Sequence, residues 1–451
     1  MNKEHQKRGK KKYPPKPHAP LTGAFTQLLP EIQKSLQHAG YTTPTPIQEQ
    51  AIPHLLEEQD MMGCAQTGTG KTAAFTLPIL QALGKGDYHS DPGQPQALIL
   101  APTRELAAQI DESIATYGHN LDITHTVIFG GVNEKPQIRA LRSGVDIVVA
   151  TPGRLLDLIQ HKHLSLEDVE IFVLDEADRM LDMGFIHDIR KVLKMLPEER
   201  WSLFFSATMP PEVKKLANGM LTKPVHIAIA PEKPAVERIK QSILFVDRDK
   251  KDKLLAELMK DPEIHRAIVF TQMKHVANRV CQKLERVGIT AAAIHGNKTQ
   301  AARVKALDRF KAGKVRVLVA TDIAARGIDV DGITHVINYD LPNEPETYVH
   351  RIGRTARAGM DGTAFSFCAA RERDYLRSIE KLLKKTIPED IEHNWHSEES
   401  KNATGADARP EPKVQRGGNR GKGGGQRTRR HENGKAPNRR RSPKHRSSRG
   451  R

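Results

Sequence analysis

Lys71 and Thr72 close the stretch Ala65-Gln66-Thr67-Gly68-Thr69-Gly70-Lys71-Thr72, and this spacing of small residues, cation and hydroxyl suits the holding of a run of phosphates. Gly68 and Gly70 let the backbone turn tightly, so that successive N–H groups can converge on one anion. Lys71 supplies a mobile positive charge for the outer phosphates, and the Thr72 hydroxyl can hold Mg²⁺. A helix opening at this point would add the positive end of its dipole. Ala65 stands where the strict pattern has its first glycine. The competing reading, a turn of small residues before a core helix, leaves Gly-Lys-Thr in this register unexplained.

One hundred residues on, Asp175-Glu176-Ala177-Asp178 follows the apolar run Ile171-Phe172-Val173-Leu174. The run suits a buried parallel strand. In open α/β sheets ligands bind at the carboxyl ends of strands, so carboxylates placed there can meet a metal held by Thr72. Asp175 is the expected metal-side group, acting through water, and Glu176 the group that orients and deprotonates an attacking water.

Positioning these groups requires strands that end at one edge. Ala97–Leu100, Thr126–Phe129, Asp146–Val149, Ile171–Leu174 and Leu203–Phe205 read as strands alternating with helical patterns, which implies a parallel sheet covered on both faces. Ala230-Pro231-Glu232-Lys233-Pro234 marks a break. The alternation then restarts with Ser242–Val246, Ala267–Phe270, Ala291–Ile294, Val315–Val319, His335–Asn338 and Thr363–Cys368. The second unit has no phosphate-loop motif, so one nucleotide is expected, in the cleft between the units. The boundaries read as a basic arm 1–20, a first domain 21–230, a linker 231–237, a second domain 238–395 and an Arg/Gly-rich tail 396–451.

The net charge of +17 sits at the ends. Residues 1–20 carry +6 and residues 413–451 carry +14, which leaves 21–412 at −3. Basic ends on a near-neutral body suit polyanion-binding arms, with solubilising tails as the plainer reading. Past Trp395 there is no aromatic residue, Leu or Ile, too little to offset chain entropy, so both extensions are expected to be disordered. Cys64, Cys281 and Cys368 lack metal-ligand spacing and read as reduced, semi-buried residues. No run approaches the length of a membrane span, and the basic N-terminus is not followed by a signal-type segment. The expectation is a cytoplasmic protein without membrane contact.

The chain resembles the DEAD-box RNA helicases of superfamily 2. The resemblance runs from about Phe25 to about Arg373 and rests on pieces in the family order: Pro46-Ile47-Gln48, the phosphate loop, Pro102-Thr103-Arg104-Glu105-Leu106, Gly130-Gly131, Thr151-Pro152-Gly153-Arg154, Asp175–Asp178, Ser206-Ala207-Thr208, Ile268–Thr271, Gln300 with Arg303, Ala320-Thr321-Asp322 through Asp329, and His350–Arg357. The wording around the phosphate loop and Asn338–Pro342 looks most like the bacterial RhlE-type subgroup.

The resemblance implies an α/β chain of two tandem RecA-like parallel-sheet domains, with ATP and Mg²⁺ as cofactors. Gln48 would read adenine, its amide matching a donor–acceptor edge. Phe25 would pack near the base, or else serve the core. Asp329 would contact ribose. Arg354 and Arg357 would reach the γ-phosphate from the second domain as arginine fingers, making catalysis depend on closure. Ala356 replaces the commoner glycine between them, a substitution that strains the backbone if the position needs positive φ. Arg104, Gly131, Thr151 and Arg154 in the first domain, with Gln300, Arg303 and Thr321 in the second, would hold the sugar–phosphate backbone of RNA without reading sequence. Ser206 and Thr208 would couple the acidic motif to RNA handling through Asp178.

The expected function is ATP-dependent, local and non-processive separation of short RNA duplexes or remodelling of RNA–protein complexes by a monomer, with the tail open to protein partners. An ATP-gated RNA clamp or annealing factor is the alternative, since it would use the same motor residues, and a DNA translocase is a more distant one. Ribosome assembly, mRNA turnover and cold adaptation all fit the resemblance.

Overall fold

The structure is a computed structural model and describes residues 19–66, 68–86, 90–229, 238–325, 330, 332–356 and 361–409. Residues 1–18 of the basic arm, the 231–237 linker, Thr67, Asp329, Arg357 and the tail from 410 onward, all singled out in the sequence, lie outside the described residues.

Thirteen described strands form two sheets. The first contains β1 (Met61–Cys64), β2 (Ala97–Leu100), β3 (His125–Ile128), β4 (Ile147–Ala150), β5 (Ile171–Leu174), β6 (Trp201–Ser206) and β7 (Val225–Ala228) in the spatial order β3-β4-β2-β5-β6-β1-β7. The second contains β8 (Ile239–Phe245), β9 (Ala267–Phe270), β10 (Ala291–Ile294), β11 (Val317–Ala320), β12 (His335–Asn338) and β13 (Gly362–Cys368) in the order β10-β11-β9-β12-β13-β8. Every pairing among these strands is parallel.

Continuous apolar runs arise because both faces are covered. In β5, Ile171 and Val173 enter one core with Phe75 and Ile110, while Phe172 and Leu174 enter the other with Leu155 and Ile189. In β9 the same alternation sends Ile268 and Phe270 to one side and Ala267 and Val269 to the other. The strand expectations hold with end shifts of at most three residues. Met61–Cys64 and Val225–Ala228 were not anticipated: the first is Met-Met-Gly-Cys, poor in β-branched residues, and the second is a half-exposed edge.

The second domain does not end near Trp395. Residues 388–397 run along the outer edge of β8: the Ile243 N–H donates to the Pro388 carbonyl (2.9 Å), the Asp390 N–H to the Ile243 carbonyl (2.9 Å) and the Ser397 N–H to the Phe245 carbonyl (3.0 Å). Ser397 caps a short helix, Glu398–Asn402, and Ser400, Ala403 and Ala408 are buried. The part of the expected tail from 396 to 409 is therefore packed. Its docking uses backbone bonds, serine hydroxyls and alanine methyls, which a search for large apolar residues misses.

Candidate active site

The strand order sorts the motifs. Gly131 follows β3, Thr151 and Arg154 follow β4, and Arg104 follows β2, so the expected RNA residues share one half of the strand-end edge. Asp175 and Glu176 follow β5 and the phosphate loop follows β1, in the other half, with Ser206 at the end of β6 and Thr208 just beyond it between them. In the second sheet Gln300 and Arg303 follow β10 and Thr321 follows β11.

β1 delivers the phosphate loop. Ala65 is buried and extends the pairing, its N–H donating to the Ser206 carbonyl (3.1 Å). Gly68 (φ 81°) and Gly70 (φ 93°) take the left-handed conformation, and the helix Lys71–Leu83 starts directly after Gly70. A side chain at Gly70 would strike Gln48 Nε2 at 2.5 Å. The Lys71 ammonium is buried without a hydrogen-bond partner among the described residues. A buried, unpaired cation is costly, and it fits an anionic ligand that completes it.

Gln48 is buried and ties the loop to its own helix. Its Oε1 accepts from the Thr45 N–H (2.9 Å), and its Nε2 donates to the Gly70 carbonyl (3.1 Å). One amide hydrogen and one lone pair remain for a base edge. Phe25 is fully buried in the core with Ile32 and Ile47, so the structure gives it to packing rather than to a nucleotide. Tyr41 is the exposed ring of this stretch, 43% accessible and edge-on to Tyr117.

Asp175 and Glu176 sit side by side with different electrostatics. Burial pushes the Asp175 carboxyl up to about 6, with Lys71 opposing and Glu176 adding to the rise. Burial also pushes Glu176 up, but Arg179, Lys71 and Arg354 outweigh it and hold the group below its ordinary value. Glu176 is left-handed (φ 51°, ψ 50°), a conformation that costs roughly 1–3 kcal/mol for such a residue. Its N–H donates to Asp175 Oδ1 (2.9 Å), and its carboxylate pairs with Arg179.

The hydroxyls after β6 bind Asp178 as expected. Asp178 Oδ2 accepts from the Thr208 N–H (2.8 Å) and hydroxyl (2.7 Å). Ser206 Oγ accepts from the Asp178 N–H (3.2 Å) and donates to the Thr208 carbonyl (2.8 Å).

In the other half, Arg104 lies on Gly131, whose φ is 75°; a Cβ there would meet the Arg104 guanidinium at 2.3 Å. Burial, then the charges of Arg303 and Arg154, hold Arg104 below its ordinary pKa. Arg154 pairs with Asp157 (3.2 Å) and keeps a buried Nη1 without a hydrogen-bond partner among the described residues. Three guanidiniums within electrostatic reach of one another suit a polyanion. Thr151 opens its helix without a side-chain cap bond, and Thr321 is buried. Gln300 and Arg303 depart from expectation: both are buried, and both donate to Glu105 Oε1 of the first domain, at 3.0 and 2.9 Å.

Arg354 of the second domain bears on Glu176 across the cleft, and Asp182, Asp178 and Arg179 bear on His350. Ala356 is left-handed (φ 56°) and buried, so the residue in the usual glycine position does adopt the conformation that strains it.

Sequence reasoning assigned no role to Glu105, Arg179 or Arg351. Arg351 is buried, grips Asp322 (2.8 Å from Nη2), and reaches Asn338 (3.1 Å) and the Asp340 carbonyl (2.6 Å), fixing the ends of β11 and β12. Glu105 and Arg351 lie inside quoted motifs, and Arg179 directly follows one. The i,i+3 spacing of Glu176 and Arg179 was the one available signal.

The DEAD/DEAH box helicase family matches residues 45–216, and the helicase conserved C-terminal domain matches 249–359. The DEAD-box ATP-dependent RNA helicase CshA of Bacillus licheniformis is 45% identical over 365 residues, 80% of this chain and 73% of that protein. CshA of Listeria monocytogenes is 45% identical over 357 residues, 79% of this chain and 68% of that protein. The RhlE-type placement rests on sequence wording alone. Among solved structures, S. cerevisiae Dbp5 bound to RNA and ADP BeF3 aligns with TM-score 0.70 at 34% identity, covering 80% of this chain and 93% of that one. Mss116p bound to ssRNA and AMP-PNP aligns with TM-score 0.72 at 29% identity, covering 84% and 82%. With the phosphate loop, the paired carboxylates and both domains in place, the chain belongs to the DEAD-box ATP-dependent RNA helicases and is an ATP-hydrolysing RNA helicase with the RecA-like fold.

Proposed function

We propose that the protein separates short RNA duplexes locally, by closing its two domains on one strand, without translocation. One observation carries this reading. The second domain meets the first at both halves of the strand-end edge: Gln300 and Arg303 bond Glu105 on the RNA side, while Arg354 bears on Glu176 on the nucleotide side. A single closure thus engages both. Each stacked step is worth about 1–2 kcal/mol on a DNA scale, so differential binding to the closed state offsets only a few steps.

In this mechanism the loop N–H groups and Lys71 hold the triphosphate, Gln48 and Tyr41 receive the base, and Glu176 takes the proton of the attacking water. Arg354 with Arg357 stabilises the departing γ-phosphate charge, and Asp329 meets the ribose. Mg²⁺ would be held by Thr72 and, through water, by Asp175, and would supply charge neutralisation for the phosphates. Asp175 fits this, being a carboxylate that burial raises to about 6 against the opposing charge of Lys71. Arg104, Gly131, Thr151, Arg154 and Thr321 hold the RNA backbone. Gln300 and Arg303 act through the contact to Glu105.

Strand displacement tests this. A short duplex with a single-stranded flank should be opened by the wild type with ATP. Glu176→Gln should bind ATP and RNA, turn over slowly and trap the complex, and Lys71→Ala should lose ATP binding. Near-normal hydrolysis by Glu176→Gln would remove the base assignment. RNA-stimulated hydrolysis by the wild type without strand displacement would favour the clamp. A cytoplasmic monomer is part of the proposal; it is compatible with the buried free thiols and with the absence of a membrane-length apolar helix among the described residues. Cell fractionation and sedimentation check it, and a membrane-bound or oligomeric species would refute it.

A further inference from the structure

We infer that Arg179 is the positioning residue that aims the Glu176 carboxylate, and the last link through which Thr208 and Asp178 act on it. The inference rests on the reading of Glu176 as the general base. Glu176 precedes the helix Ala177–Asp182 in a left-handed conformation, and Arg179 lies one turn on, so its guanidinium returns to the Glu176 carboxylate. The two side chains are 11% and 7% exposed. An i,i+3 pair on a solvated helix face holds little. Here water is largely excluded, and a charge-assisted bond both strengthens and fixes direction. Lys71 and Arg354 are the other cations that bear on Glu176. Without Arg179 the direction of the carboxylate would be left to those more distant charges and no longer set by its own helix.

Arg179 is itself anchored. Its N–H donates to Asp178 Oδ1 (2.9 Å), while Asp178 Oδ2 takes the Thr208 N–H and hydroxyl at 2.8 and 2.7 Å. A continuous chain therefore leads from the turn after β6 through Asp178 and Arg179 to Glu176. Displacement of that turn shifts the helix start that carries the guanidinium. His350 of the second domain lies within electrostatic reach of the same helix, feeling the Asp182, Asp178 and Arg179 charges. The chain thus lies where the domains meet.

The test is a double-mutant cycle on steady-state ATP hydrolysis at saturating RNA, using wild type, Arg179→Gln, Arg179→Lys, Glu176→Gln and the Glu176→Gln/Arg179→Gln double variant. Losing the aim of a general base should forfeit part of its usual contribution. Arg179→Gln should lower kcat roughly 10–100-fold while KM for ATP stays within about threefold. Arg179→Lys keeps the charge but lacks the planar fork, and should be intermediate. The double variant should be no slower than Glu176→Gln alone. Wild-type kcat in Arg179→Gln, or an equal further loss when it is added to Glu176→Gln, would overturn the inference. Should Arg179→Gln melt below the assay temperature, wild-type turnover by Arg179→Lys would overturn it instead. Near-normal turnover by Glu176→Gln alone is a separate failure, that of the base assignment.

Discussion

Glu105 and Arg303 form a buried ion pair between the two domains, with Nη2 2.9 Å from Oε1 and both side chains no more than 10% exposed. Gln300 donates to the same oxygen at 3.0 Å. Glu105 opens the helix after β2 beside Arg104, and Gln300 opens the helix after β10. One carboxylate of the first domain thus takes two bonds from the second.

Glu105→Ala should therefore uncouple the domains while sparing the first domain's nucleotide site. Removing one partner of a buried pair costs about 3–5 kcal/mol because the other charge stays buried. Here the cost falls on the closed form only. The RNA concentration for half-maximal ATP hydrolysis should rise roughly tenfold or more, with nucleotide affinity unchanged. Energy transfer between dyes on the two domains reports closure directly, and an unaltered closed population with ATP and RNA would refute the role.

Ala356→Gly is expected to be nearly neutral. A left-handed non-glycine residue costs roughly 1–2 kcal/mol, which glycine would relieve. Against that, the buried methyl is worth about 0.8 kcal/mol, and glycine frees the unfolded chain by up to about 1 kcal/mol. The terms oppose, so thermal denaturation should move by only a few degrees. Ala356→Val meets the same positive φ with a branched side chain and should destabilise clearly more. Equal stability of the Val and Gly variants would show that the positive φ at 356 is not retained in solution.

Cys281 and Cys368 should resist alkylation in the native protein. Burial pushes the Cys281 thiol up to about 11 and the Cys368 thiol up to about 12. The thiolate is the nucleophile, so little reactive form exists near pH 8. Cys64, less buried and raised as well, should react first. The raised folded values favour the neutral thiol, so their stabilising effect is complete below pH 9 and is lost as pH rises toward 11–12. Thiol titration with and without denaturant reads this; fast native labelling of all three would contradict the burial.

What the sequence made legible follows a physical division. Lys71, Glu176 and Asp178 could be read because phosphate and proton chemistry restrict residue type and spacing so tightly. The apolar runs β2, β5 and β9 could be read because strands covered on both faces show no polar alternation. Glu105 and Arg179 escaped because an ion pair depends on where a side chain turns, and the pair with Arg303 joins helices of different domains. Phe25 was ambiguous because an aromatic ring serves core and base equally well in sequence. The packed 396–409 segment escaped because small residues held by backbone bonds carry no hydrophobic signal.

That last segment changes how the basic tail should be tested. Arg409 pairs with Asp374 at 3.4 Å, and the Asp374 N–H donates to the Ala408 carbonyl at 3.3 Å, so the chain is fastened to the second domain as far as Arg409. A truncation at 396 would remove the Ser397 bond to β8 and the short helix that Ser397 caps, and so confuse folding with binding. Deleting residues 410–451 removes the charge alone: residues 413–451 carry +14, against −3 for 21–412. This variant should keep the wild-type melting temperature and the wild-type kcat at saturating RNA, yet bind RNA more weakly. Each phosphate neutralised on a single strand contributes about 0.7 to the log–log salt slope, so even a handful of tail contacts should flatten that slope by several units. Arginine on a glycine-rich chain also stacks on bases without reading sequence. Such a tether raises the effective concentration of RNA at the motor while the domains open and close. Salt titrations of RNA binding by the full chain and the 410–451 deletion decide the matter. Equal affinities and equal slopes would mean that the tail is not an RNA anchor, and a protein partner would then be the better assignment for its charge.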